Sequence, residues 1–167
     1  DPNRRMALEE TPWLEEARVP SDLAWDQADL AIQHPRSYWA KAGVRRPDGR
    51  PIDNDALPAS LLLLMGRNGP AFLAYPNFQA YLKWNQSLNY ATTAAYLATR
   101  IDGGPAMGLG NAPIAALDTD QLKELQALLI RRGLKEGEVD GKLGAATRAA
   151  VKAAQLNRSF MLDAVWA

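Results

Sequence analysis

The sequence predicts an α+β chain, mainly helical, in which a small lobe containing a β-hairpin is followed by a separate helical unit. Three observations carry that expectation. Two short apolar runs, residues 61–65 and 71–75, flank the connection Gly66-Arg67-Asn68-Gly69-Pro70, the pattern of two strands joined tightly. Leu88, Ala91, Ala94, Leu97 and Ile101 then recur at helical spacing. Gly103, Gly104, Pro105, Gly108, Gly110 and Pro113 crowd the next stretch, too dense in Gly and Pro for a regular element, before a second helical pattern begins.

Taken in order, residues 1–34 are polar with scattered aromatics, Trp13 and Trp25 among them, and give a poor periodic signal. A short helix is expected from Pro35, at a first-turn position, to Gly43 at the C-terminal cap, with Tyr38, Trp39 and Ala42 on one face. Pro47-Asp48-Gly49 marks a turn. After the two strands come helices over 78–84 and 88–101. Ser87 is a natural N-cap, since its hydroxyl can accept from a free first-turn amide. Asn85 and Gln86 therefore fall in the break between the helices.

Residues 103–116 read as a linker, and the stretch Gly103–Pro113 as the preferred site for a protease. Beyond it, Asp118 with Gln121 forms a capping-box pattern, and Leu122, Leu125, Leu128 and Leu129 make an apolar stripe. Gly133 closes that helix, Asp140-Gly141 makes a turn, and another helix is expected over 145–155. Leu125, Leu129, Leu134, Val139, Leu143 and Val151 are the expected core. The division is thus 1–102, 103–116 and 117–167. The last unit has neither cysteine nor an evident metal site to support so small a core, so limited stability is expected.

Composition narrows the function. Nineteen basic residues balance nineteen acidic ones, so no field draws the chain to nucleic acid or anionic lipid. Recognition should rest on shape, stacking and hydrogen bonds, for which five Trp and five Tyr supply flat surfaces. With no cysteine and one histidine, His34, neither a thiol nucleophile nor a transition-metal site can be argued, and no cofactor is implied. His34 itself reads as a helix-start residue. No apolar stretch reaches the length of a membrane span. No signal peptide is visible, and the opening Asp1-Pro2-Asn3 lacks a Met, so the natural start is expected upstream.

The segment 118–155 resembles the peptidoglycan-binding domain of bacterial cell-wall hydrolases. The match runs through Leu122, Leu125-Gln126, Leu129, Gly133, Val139-Asp140-Gly141, Gly144, Thr147, Ala150-Val151 and Gln155. The resemblance implies a three-helix module that binds cell-wall glycan or stem peptide. Two departures stand out: Ala154 takes the place of an aromatic before the final Gln, and residues 157–167 lack the expected Gly- and Pro-containing ending.

The larger piece is similar to the lytic murein transglycosylase B family. The similarity lies in Ala24-Trp25-Asp26-Gln27-Ala28-Asp29-Leu30, Gly69-Pro70-Ala71-Phe72-Leu73, Tyr75-Pro76-Asn77-Phe78 and Trp84-Asn85-Gln86-Ser87 with Tyr90. It implies a lobe of a lysozyme-like transglycosylase and a bacterial periplasmic or cell-envelope location. The partners implied are peptidoglycan glycan strands and stem peptides. Such enzymes cleave the β-1,4 bond between N-acetylmuramic acid and N-acetylglucosamine to a 1,6-anhydro product. One Glu, in a Glu-Ser-x-Phe-Gly-like motif, acts as acid and then base. No such motif occurs in these 167 residues, so no catalytic residue is assigned and the chain alone is expected to be inactive.

Site expectations follow. Asn85 would hydrogen-bond a sugar or N-acetyl group, with Trp84 and Tyr90 offering faces to sugar rings; the competing reading makes Trp84 core and Asn85 a helix cap. In the module, Asp140, Gly141, Thr147 and Arg148 are candidates, with turn and helix-surface roles as the alternative. Arg148 is the most attractive because a guanidinium can pair with a stem-peptide carboxylate. Glu9-Glu10 and Glu15-Glu16 read as solvated surface. Asp53 and Asp55, though spaced like a carboxylate pair, read as a polar loop. The alternatives to an enzyme are a non-catalytic wall-binding protein, or an adaptor whose aromatics meet a protein partner.

Overall fold

The computed structural model describes residues 11–84, 87–114 and 116–157. Its centre is an antiparallel sheet of four strands. They are β1 (Leu14–Ala17), β2 (His34–Pro35), β3 (Pro58–Leu62) and β4 (Ala71–Ala74), in the order β1-β4-β3-β2. Leu14 pairs with Ala74, Leu62 with Phe72 and His34 with Ala59. The expected hairpin is β3–β4, its first strand beginning and ending three residues earlier than the apolar run 61–65.

All four residues of β4 are buried. That follows from layers on both faces, which is why the run is continuously apolar instead of alternating. Ala71, Leu73 and Tyr75 join Ala59, Leu61, Trp39 and Val44 on one face. Phe72 and Ala74 join Leu14, Leu62, Phe78, Ala91 and Ala95 on the other. The first face is covered by α1 (Arg36–Lys41), whose Trp39 is fully buried and donates from Nε1 to the Ala59 carbonyl at 3.0 Å. The second is covered by α2 (Pro76–Trp84) and α3 (Leu88–Ile101).

Pro35, expected within the first turn, is instead the N-cap of α1 and the last residue of β2, while Gly43 follows the helix end with φ +86°, as the short-helix reading required. His34 lies in β2 instead of opening the helix. Its ring stacks on Tyr38 at 3.9 Å and its Nε2 meets Gln27 Oε1 at 3.0 Å.

The Gly/Pro stretch forms no regular element, but it is strapped to the lobe. Met107 N donates to the Tyr96 hydroxyl (2.7 Å), Gly108 N to Glu16 Oε1 (2.9 Å) and Asn111 N to the Asn68 carbonyl (2.7 Å). Gly110 is obligatory in this strap: φ is +85°, and a Cβ would lie 2.3 Å from the Asn68 oxygen.

Beyond it lie α4 (Thr119–Arg131) and α5 (Ala145–Asn157). The Asp118 carboxylate accepts from Gln121 N and the Gln121 side chain accepts from Asp118 N, the reciprocal cap expected. Gly133, at φ +68°, lets Leu134 N return to the Leu129 carbonyl. The core is Leu129, Ala150 and Val151, flanked by Leu125, Leu134 and Ala154. Val139 is exposed and takes no part, a correction to the expected core. Two helices of the anticipated three are seen; residues 158–167 are outside the described residues.

Candidate functional site

The break between α2 and α3 is built by Ser87. Its hydroxyl accepts from Tyr90 N at 3.3 Å, fixing the first turn of α3. Tyr90 rides on that turn with 55% of its surface exposed, so its ring is open to a ligand. Trp84 is the last residue of α2. Asn85 lies outside the described residues.

Sequence reading missed one aromatic neighbour of this corner. Tyr81, three residues before Trp84 on the same helix, packs against Trp13 with ring centroids 5.6 Å apart, and Trp13 is exposed. Asn77 ties this N-terminal segment to α2 by donating to the Thr11 carbonyl at 2.9 Å. Trp13 sits in aperiodic polar sequence, and only the fold brings it to α2.

Several carboxylates of the lobe already have partners. Arg36 donates from Nε to Asp55 (2.8 Å) and pairs through Nη1 with Asp53 (3.0 Å), which also meets Arg46 at 3.1 Å. The Arg36 guanidinium beside it holds the Asp55 carboxyl below its ordinary range. Glu15 accepts from the Tyr75 hydroxyl, and Glu16 from Gly108 N. Burial first, and the Glu15 charge second, push the Tyr75 phenol far above its usual range. Glu15 and Glu16 are therefore partly buried cross-links, not the solvated surface the sequence implied; Glu9 and Glu10 lie outside the described residues. None of these groups stands as a lone protonated acid in an apolar cleft, which is what glycosidic acid catalysis needs. Among the described residues no three His, Cys, Asp or Glu side chains gather as metal ligands.

In the small unit, Gln126 is a buried hub with 1% of its surface exposed. Its amide nitrogen donates to Asp140 Oδ1 (2.8 Å), the Lys142 carbonyl (3.0 Å) and Thr147 Oγ1 (3.2 Å). Its oxygen accepts from Gly141 N at 2.8 Å. The Gln126 amide and the Lys142 N–H hold the Asp140 carboxyl below its ordinary range. Gly141 has φ +69°, and a Cβ added there would lie 2.8 Å from Thr119 Cγ2. Asp140, Gly141 and Thr147 thus serve the Gln126 network that closes the loop before α5. Arg148 points elsewhere, into a groove shared with the lobe, and burial lowers its guanidinium pKa.

Residues 8–99, more than half of the chain, match the family described as Transglycosylase SLT domain. The chain belongs to the transglycosylase SLT family. Residues 118–163 match a putative peptidoglycan binding domain. Two crystal structures of SltB3 from Pseudomonas aeruginosa, in complex with NAG-anhNAM-pentapeptide and with NAG-NAM-pentapeptide, are similar in fold. Their TM-scores are 0.73 and 0.74, each at 38% identity and over 93% of this chain. The chain spans 42% of the length of each SltB3 chain. No curated protein sequence matches it. The mixed fold of the SLT segment, a small antiparallel sheet with helices on its faces, accords with SltB3. No helix among the described residues is long and apolar enough to cross a membrane.

Proposed function

We propose that this chain holds peptidoglycan for a lytic transglycosylase of the bacterial envelope. That enzyme cleaves the β-1,4 bond between N-acetylmuramic acid and N-acetylglucosamine to give 1,6-anhydromuramoyl products. The observation that carries the reading is the succession, in one chain, of an SLT segment and a peptidoglycan-binding segment. The likeness to a protein crystallised with both NAG-NAM and NAG-anhNAM peptides supports it, since those ligands are the two sides of such a cleavage.

In this reading the SLT segment, residues 1–102, supplies glycan-facing surface at the α2–α3 corner. Tyr90 and Trp84 stack on sugar rings while Asn85 bonds a hydroxyl or N-acetyl group. Residues 117–167 anchor the protein to the wall, with 103–116 as the strap between. The catalytic acid is not supplied by these 167 residues, which contain no Glu-Ser-x-Phe-Gly-like motif.

Peptide-free glycan strands, prepared with an amidase, test the reading at its proposed contacts. The folded chain should bind them, and Asn85→Ala or Tyr90→Ala should weaken binding by about tenfold each, since stacking and bonded sugar contacts contribute on the order of 1–2 kcal/mol. Full binding by both variants would place the glycan elsewhere.

A further inference from the structure

We propose that the groove between the lobe and α5 holds the stem peptide of peptidoglycan, with Arg148 gripping one of its carboxylates. The inference rests on the peptidoglycan reading above and adds a site to it.

The groove has a volume of about 480 Å³, within the range of sites for small ligands. The lobe contributes an aliphatic wall from Leu61, Leu63, Leu82 and Leu88, and α5 contributes Arg148 and Lys152. The two cations are in different situations. Lys152 Nζ is engaged with Asp29 Oδ2 (3.0 Å) and the Ala28 carbonyl (3.3 Å), which pins α5 to the lobe. The Arg148 guanidinium is half-buried and meets no hydrogen-bond acceptor or carboxylate among the described residues.

A guanidinium taken partly out of water without a counter-charge has lost hydration and gained nothing in return. Its planar donor fork matches a carboxylate in bidentate geometry, which a neutral sugar does not, and the leucine wall beside it suits an acid on an apolar body better than a fully hydrated inorganic anion. The occupant must therefore carry a carboxylate on a body small and aliphatic enough to lie along the leucines. A stem peptide has both: methyl side chains of alanine residues and several free carboxylates. In peptidoglycan the lactyl carboxyl of N-acetylmuramic acid is amide-linked to the stem peptide, so the substituted strand offers no free carboxylate of its own and belongs to the aromatic corner instead.

The test is calorimetric titration of the folded chain with a synthetic stem pentapeptide ending in D-Ala-D-Ala, and with the same peptide fully amidated. The free-acid peptide should bind. Amidation should weaken it at least tenfold, and so should Arg148→Ala, with Arg148→Lys recovering part of the loss. If Arg148→Ala does not fold, the amidated peptide on the unaltered chain decides alone. Equal binding of the two peptides, or no binding of either, overturns the groove assignment. In parallel, peptide-free glycan strands whose lactyl carboxylates have been amidated separate the two claims. A chain that binds strands but not the pentapeptide keeps its proposed function and loses the groove. A chain that binds the pentapeptide but not the strands keeps the groove and loses the glycan corner.

Discussion

Gln126 joins the loop before α5 to α4, and its removal should unfold the small unit while leaving the sheet intact. The side chain makes four contacts, three of them from a nitrogen with only two hydrogens, so the network is worth about three hydrogen bonds. At roughly 1 kcal/mol net for each bond, Gln126→Ala forfeits about 2–4 kcal/mol before the cavity is considered. The stretch from Asp118 to Asn157 has a core of only Leu129, Ala150 and Val151 with three partly buried neighbours. At about 0.05–0.15 kcal/mol per residue, some forty residues hold only about 2–6 kcal/mol in total. The loss is thus comparable with all the stability the unit has. Hydrogen exchange read by mass spectrometry resolves the two regions: amides of α4 and α5 should lose protection, while β3 and β4 keep theirs. Gln126→Leu separates bonding from volume. It fills the space but strands the Gly141 N–H and takes the amide donor away from Asp140 and Thr147, so it should behave nearly as badly as alanine. If Gln126→Leu keeps full protection in α4 and α5, packing and not the polar network orders the loop, and the reasoning fails.

Gly110→Ala should free the strap, because a Cβ there has no room against Asn68; limited proteolysis should then cut residues 107–112 faster than in the parent, and an unchanged rate would refute the tight fit. Acid should destabilise the fold. Against the effect of burial, the Ala31 amide and Lys152 hold the Asp29 carboxyl below its ordinary range, and Arg36 does the same for Asp55. A folded-state pKa below the unfolded one gives stability that is complete above the unfolded value, about 4, and is lost as pH falls through the folded value. The Tm should be flat from pH 7 to 5 and drop below about 4; a Tm that rises on acidification contradicts these pairings. Tyr90→Ala should leave Tm within about 1 °C, as expected for a surface residue, while weakening glycan binding; a large fall in Tm would make Tyr90 structural.

The sequence announced features whose physics is local. The Ser87 cap, the Asp118–Gln121 capping box and the left-handed Gly43 and Gly133 each depend on neighbours within a few positions. The hairpin was visible because β3 and β4 are adjacent in the chain and buried on both faces. Strand β1 was not, because Glu15 and Glu16 sit at its centre and only its pairing with β4, nearly sixty residues away, makes it a strand. The strap failed for a related reason. Gly and Pro content signals irregular backbone, but cannot reveal that Tyr96, Glu16 and Asn68 receive its amides. The proposed site residues follow the same division. Tyr90 and Arg148 could be named from pattern and resemblance, whereas Trp13 beside Tyr81, and the leucine wall facing Arg148, arise from contacts between distant segments.

The most direct test of the central claim is co-sedimentation of the folded 167-residue chain with insoluble bacterial sacculi across a range of salt, with heat-unfolded protein as control. With no net charge, binding through stacking and hydrogen bonds should persist from low to high ionic strength. Salt-tolerant pelleting of the folded chain, absent from the unfolded control, is the expected result. A folded chain that stays in solution, or pellets only at low salt, contradicts the account.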